Sequence, residues 1–199
     1  MRHRASLHLS RPIVDRFWSP FKQTTTAGHL PGDMQRVLEE LTTPRNFSCL
    51  VNGVLGHSPT LIEDFFVVVL TGFDVEGVKV DKLSEQRCMA EGRMTLQHQR
   101  TFLGWAATGQ QIEVPYHLSM EGCVNGARAS HITLRTGFVP ALEQAGCPSN
   151  VIDCMAKPEA TKMLVALRRA KVRPELISVR ALQSATKQQD KWRSALDLL

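Results

Sequence analysis

The chain has 199 residues, 43% of them hydrophobic and 22% charged, which excludes collagen-like, coiled-coil and disordered classes and allows one ordinary domain with an appendage. Its longest apolar run, Phe65 to Leu70, is too short to cross a bilayer. The net charge of +5 comes from the C-terminal segment alone, where ten basic residues face five acidic ones from Cys147 to Leu199.

Residues 1–11 carry arginine and serine without an acid, which reads as a flexible N-terminus or an organelle-targeting segment. Pro12 opens a helix with Ile13, Phe17, Trp18 and Phe21 on one face, and Gly28 and Pro31 break the pattern. A second helix follows, capped by Asp33, with Met34, Val37, Leu38 and Leu41 in one stripe. SCLVNGVLG has strand character. Ser58 caps a third, buried helix beginning at Pro59, although its valine run also suits a strand.

From Val78 the apolar period changes to two. One strand places Cys88, Ala90, Gly92, Met94, Leu96 and His98 inward. The next does so with Ile112, Val114, Tyr116, Leu118 and Met120, and Pro115 marks an unpaired or bulged point. The last turns Ile132, Leu134 and Thr136 inward, with turns at Gly104–Gly109 and Gly122–Gly126. A short helix, FVPALEQAG, ends this region. Helices placed before strands predict the α+β class: a curved antiparallel sheet forming a cone around the N-terminal helices, with an apolar cavity at its mouth, plus a C-terminal helical hairpin. The break at Gly146 and Cys147 divides the chain into a domain over 12–146 and a basic helical tail over 147–199. Five cysteines without CxxC or Cys/His spacing predict reduced thiols in an intracellular protein and no metal site.

The stretch GRMTLQHQRTFLGWAATGQQIEVPYHLSMEGCVNGARASHITLR, through His98, Phe102, Leu103, Gly104, Thr108, Gly109 and Ile112, resembles the strand core of SnoaL-like polyketide cyclases in the nuclear transport factor 2-like superfamily. The resemblance covers about Pro12 to Gly146. It implies a cone fold and a cofactor-free isomerase or cyclase acting on a small apolar carbonyl compound. The family's acid on the last strand falls here on Leu134, and the acid of ketosteroid-isomerase relatives falls on Tyr116. His98 as general base and Tyr116 as donor to an enolate are therefore the candidate catalytic pair, with Phe17, Trp18, Met94, Trp105, Leu118 and Leu134 as the substrate wall. The competing reading makes both polar residues core residues of a non-catalytic ligand-binding or dimerisation module, with a homodimer formed through the sheet. Neither reading calls for a cofactor.

The tail, with RPELIS, a helix over Val179–Lys187 and a second through Trp192, Ala195, Leu196 and Leu199, resembles a partial pentatricopeptide repeat. That resemblance implies contact with single-stranded RNA through Arg168, Arg169, Lys171 and Arg173, or a helical cap on the sheet domain or on a partner chain.

Overall fold

The structure is a computed structural model that describes residues 10–21, 32–43, 47–84, 88–121 and 128–185. Residues 1–9 of the proposed flexible or targeting segment, the Gly122–Gly126 turn and the helix through Trp192 lie outside these residues, whereas Ser10 and Arg11 already belong to the first helix. Helix α1 (Ser10–Phe17) runs into a short 3-10 turn, and α2 (Met34–Leu41) follows. Strands β1 (Ser48–Val51) and β2 (Val54–Gly56) make a hairpin, followed by α3 (Thr60–Gly72). Four further strands are β3 (Phe73–Ser84), β4 (Cys88–His98), β5 (Gln111–Glu121) and β6 (His131–Thr136). Helices α4 (Phe138–Gln144), α5 (Ser149–Met155) and α6 (Pro158–Arg169) come next, and a last helical stretch occupies 179–185.

These strands form one open sheet in the order β2-β1-β6-β5-β4-β3. Its pairing is mixed. The stretch from β3 to β6 is antiparallel as the alternation predicts, whereas β1 lies parallel to β6, placing Leu50 opposite Thr133. Short upstream strands joined by an Asn52-Gly53 turn, both residues in the left-handed region, carry no periodicity that reveals their distant partner. Inward residues follow the predicted faces in β4, β5 and β6, where Ala90, Met94, Leu96, Ile112, Val114, Leu118, Ile132 and Leu134 are all buried. Pro115 lies just past the last β5–β6 pair, Tyr116 with Thr136, so its missing N–H leaves no gap in that ladder, and its carbonyl accepts from Gly137. The bulges fall in β3 instead, at Val75/Gly77 and Val80/Lys82, where they bend the edge strand.

Helix α3 is followed by β3 without a loop, five positions earlier than the Val78 onset read from the sequence. Phe73, Asp74 and Val75 are buried in succession, so the strand begins without a period-two signal. The helix starts at Thr60 with Pro59 at its cap position, one residue later than the expected start at Pro59, and the Ser58 Oγ that accepts from the Thr60 N–H at 3.3 Å stands one residue ahead of the cap. At the other end, the Arg100 guanidinium donates to the carbonyls of Leu70 (3.2 Å) and Phe73 (2.8 Å) and pairs with Asp74 at 2.6 Å. A cation on the last carbonyls is favourable to the helix dipole and supplies donors where the helix has none left. This holds the valine run helical up to the start of the sheet.

Gly146, at φ 78°, caps α4: the Cys147 N–H bonds the Leu142 carbonyl and the Gly146 N–H that of Glu143. Beyond it, Leu164, Val165, Ile177, Val179 and Leu182 are buried in the same hydrophobic cluster as the sheet and α1. Arg169 on α6 pairs with Asp64 on α3 at 2.6 Å, and the Val179 N–H donates to the Leu103 carbonyl at 3.3 Å. Leu164→Ala should therefore lower the stability of the whole chain by about 2–5 kcal/mol in a single thermal transition. Two transitions, with the sheet's midpoint unmoved, would mark the tail as a separate unit.

Candidate functional site

Of the residues proposed for catalysis, His98 is fully buried at the end of β4. Its ring stacks on Phe73 at 4.9 Å and lies 4.0 Å from the Trp105 ring. Trp105 is carried over it by a tight turn in which Phe102 and Trp105 exchange backbone hydrogen bonds, with Leu103 (φ 53°) and Gly104 (φ 91°) at the corner. Nδ1 lies 3.2 Å from Thr108 Oγ1, and Nε2 has no hydrogen-bond partner among the described residues. Burial pushes the imidazole below its ordinary value, opposed in part by a backbone hydrogen bond with Arg100, so the ring is held neutral.

Tyr116 is 4% exposed and packs on Trp18 with ring centroids 4.6 Å apart. Its hydroxyl donates to the Lys79 carbonyl at 3.4 Å, and burial pushes its pKa up to about 12. Tyr116 stands opposite Gly92, six positions from His98 along β4, a strand length of at most about 20 Å at about 3.3 Å per residue. Both lie on the concave face, Tyr116 against Trp18 and His98 between Phe73 and Trp105.

The proposed substrate wall lies in the same packed interior. Phe17, Trp18, Met94, Leu118 and Leu134 are each at most 2% exposed, and Trp105 is 9% exposed beneath its turn. Phe21 and Phe66 stack at 4.4 Å in the centre, with Trp18 edge-on to Phe66. Cys49 and Cys147 are buried thiols pushed up to about 11, and burial raises Cys154 as well, so none of the three is a thiolate at neutral pH. Among the described residues no three His, Cys, Asp or Glu side chains converge to hold a metal ion.

Open space lies outside the cone. A cleft of about 370 Å³ is enclosed by the β1–β2 hairpin, α3, the start of α4, and α5–α6. Its walls are apolar, among them Val51, Phe65, Val68, Phe138, Val139 and Val165. Most of its polar groups are already engaged. Asn52 Oδ1 accepts from the Thr136 N–H at 2.7 Å while Asn52 Nδ2 donates to Thr136 Oγ1 at 3.0 Å. Asp64, pushed up by burial and pulled down by Arg169, is held by that guanidinium. Lys162, the one Lys or Arg lining the cleft, makes no ion pair with a described residue.

A second, more open groove of about 510 Å³ lies around β3, β4 and β5. Lys82 pairs with Glu91 at 3.5 Å, Glu91 lies 3.6 Å from His117, and Arg93 bridges Asp81 and Glu113. Exposed pairs of this kind contribute little binding energy, and they give the outer sheet face a solvated character. In the tail, Arg169 is engaged by Asp64 and Arg168 donates to the Val172 carbonyl at 2.6 Å, so two of the four proposed RNA contacts serve the chain's own packing.

No family model and no curated protein matches this chain. Among solved structures, it is similar to a protein from Jannaschia sp. CCS1 described as a SnoaL-like polyketide cyclase, at 19% identity and TM-score 0.49, over 74% of this chain and 96% of the other. AclR from Streptomyces galilaeus, described as a hydroxylase, matches at 14% identity and TM-score 0.46, over 70% and 97% of the two chains. A protein described as Rd1NTF2_04 with long sheet matches at 16% identity and TM-score 0.41, over 64% and 99%.

The cleft is the part of this region that sequence reading missed. Its residues come from seven elements, β1, β2, α3, β6, α4, α5 and α6, and no local pattern in any of them marks a shared recess.

A His98 that serves packing has a testable signature. His98→Phe should stay within about 1 kcal/mol of wild type, because it removes an unpaired polar atom while keeping an aromatic ring, whereas His98→Ala should lose about 2–4 kcal/mol. The lowered imidazole value also gives stability a pH dependence. Below the unfolded value of about 6.5 the unfolded chain binds more protons, so this contribution is complete above that pH and is lost as pH falls through the folded value. The melting temperature of wild type should drop more steeply than that of His98→Phe between about pH 7 and pH 5. Parallel profiles would show that the ring is not held neutral by burial.

Proposed function

We propose that the protein is a non-catalytic binding module for a small, largely apolar compound, which it takes up in the cleft between α3, α4 and α6 and not inside the cone. The observation that carries this reading is the contrast between the two places. His98 and Tyr116 are sealed within packed aromatic rings, whereas the cleft offers about 370 Å³ with apolar walls. A base sealed against substrate cannot abstract its proton, so the isomerase reading lacks the contact that its chemistry requires. The cleft has the size and the predominantly apolar lining of small-molecule sites.

The neutral naphthyl ketone prodan serves as probe. The full chain should bind it with a blue-shifted emission. Val139→Trp and Thr161→Trp, on opposite walls and both only partly buried, should each weaken binding at least tenfold while leaving the melting temperature within a few degrees. Unchanged binding by both variants would remove the cleft from the function. Turnover of a β,γ-unsaturated ketone that disappears in His98→Phe would restore the enzymatic reading.

A further inference from the structure

Resting on the binding role proposed for the cleft, we propose that its natural ligand is an amphipathic monocarboxylate, with the apolar body between Phe65, Val68, Phe138 and Val165 and the carboxylate on the Lys162 ammonium. The walls fix the body, since their aliphatic and aromatic surfaces gain by covering apolar atoms and present no partner for a polar chain. Charge fixes the head. Asn52 and Thr136 are committed to each other, the Thr161 hydroxyl donates back to the Lys157 carbonyl at 3.5 Å, and Asp64 is neutralised by Arg169. Lys162 is left as an exposed cation bordering apolar surface with no ion-pair partner among the described residues. Its methylene stem can extend the wall while its ammonium stands at the rim, the usual disposition of such a side chain.

An ionised head on that ammonium makes a charge-assisted hydrogen bond, stronger than the one a neutral carbonyl or hydroxyl would accept. A single negative charge is matched by Lys162, the one Lys or Arg among the described residues that line the cleft. A doubly charged phosphate head would face one ammonium with Glu63 and Asp64 nearby, both of them already sharing Arg169. The volume limits the ligand to a small molecule, which excludes a peptide or a nucleic-acid strand in this cleft.

Calorimetric titration of the full chain with octanoate and with octanol separates the head from the body. Wild type should bind octanoate about fivefold or more tightly than octanol. Lys162→Gln should weaken octanoate by a similar factor and leave octanol unchanged, and Lys162→Arg should keep the preference. Equal binding of acid and alcohol by wild type, octanoate binding unaffected by Lys162→Gln, or no binding of octanoate by wild type would each overturn the proposal. Val139→Trp reports separately on the cleft: if it binds both probes as wild type does, the cleft reading itself fails, whereas loss of both probes in this variant with no effect of Lys162→Gln defeats only the carboxylate.

Discussion

The aromatic filling of the concave sheet face is the constraint on which the rest of this molecule depends. Trp18 lies on Tyr116, Phe21 on Phe66, and His98 is held between Phe73 and Trp105. Rings in such contacts contribute about 0.5–1.5 kcal/mol per pair beyond the area they bury, and together they occupy the space that an open cone would offer a ligand. With that space occupied, His98 and Tyr116 are buried among the rings of the inner face. Their protons are held by burial: the imidazole stays neutral and the phenol stays protonated.

A filled cone also needs its mouth covered, and the C-terminal helices take part in this. Leu103 and Gly104 turn the chain so that Trp105 covers His98, and the same turn receives the Val179 N–H. Arg100, just ahead of that turn, ties the end of α3 to the start of β3 through Asp74. The helices that complete the core also leave a recess where α6 passes α3 beside the β1–β2 hairpin. The cleft is thus a product of the tail's docking, and it has no counterpart in the sheet alone.

How far the sequence was legible follows from the physics of each element. Strands β4, β5 and β6 alternate strictly because one face meets the core and the other meets water, and their inward residues read directly from the period. The α3–β3 junction was hidden because both sides of it are buried, so no polar residue marks the change from helix to strand. Parallel pairing of β1 with β6 joins segments about eighty residues apart, a relation that no local pattern carries. For the site, the sequence gives the identity and face of His98 and Tyr116 but not the large rings packed around them. A periodicity argument assigns a side chain to a face and says nothing of whether space remains beside it. The cleft depends on long-range packing of the tail, whose apolar residues Leu164 and Val165 carry the same sequence signal whether they cover a core or line a recess.

The central claim is that small apolar ligands enter the cleft because the cone is full. It is tested most directly by nuclear Overhauser contacts between a bound ligand and methyl-labelled full-length protein. The account predicts contacts from prodan to the methyl groups of Val68, Val139 and Val165, with Leu118 and Leu134 silent. Contacts to Leu118 and Leu134, on the inner face of the sheet, would mean that the interior opens to ligand and would contradict it.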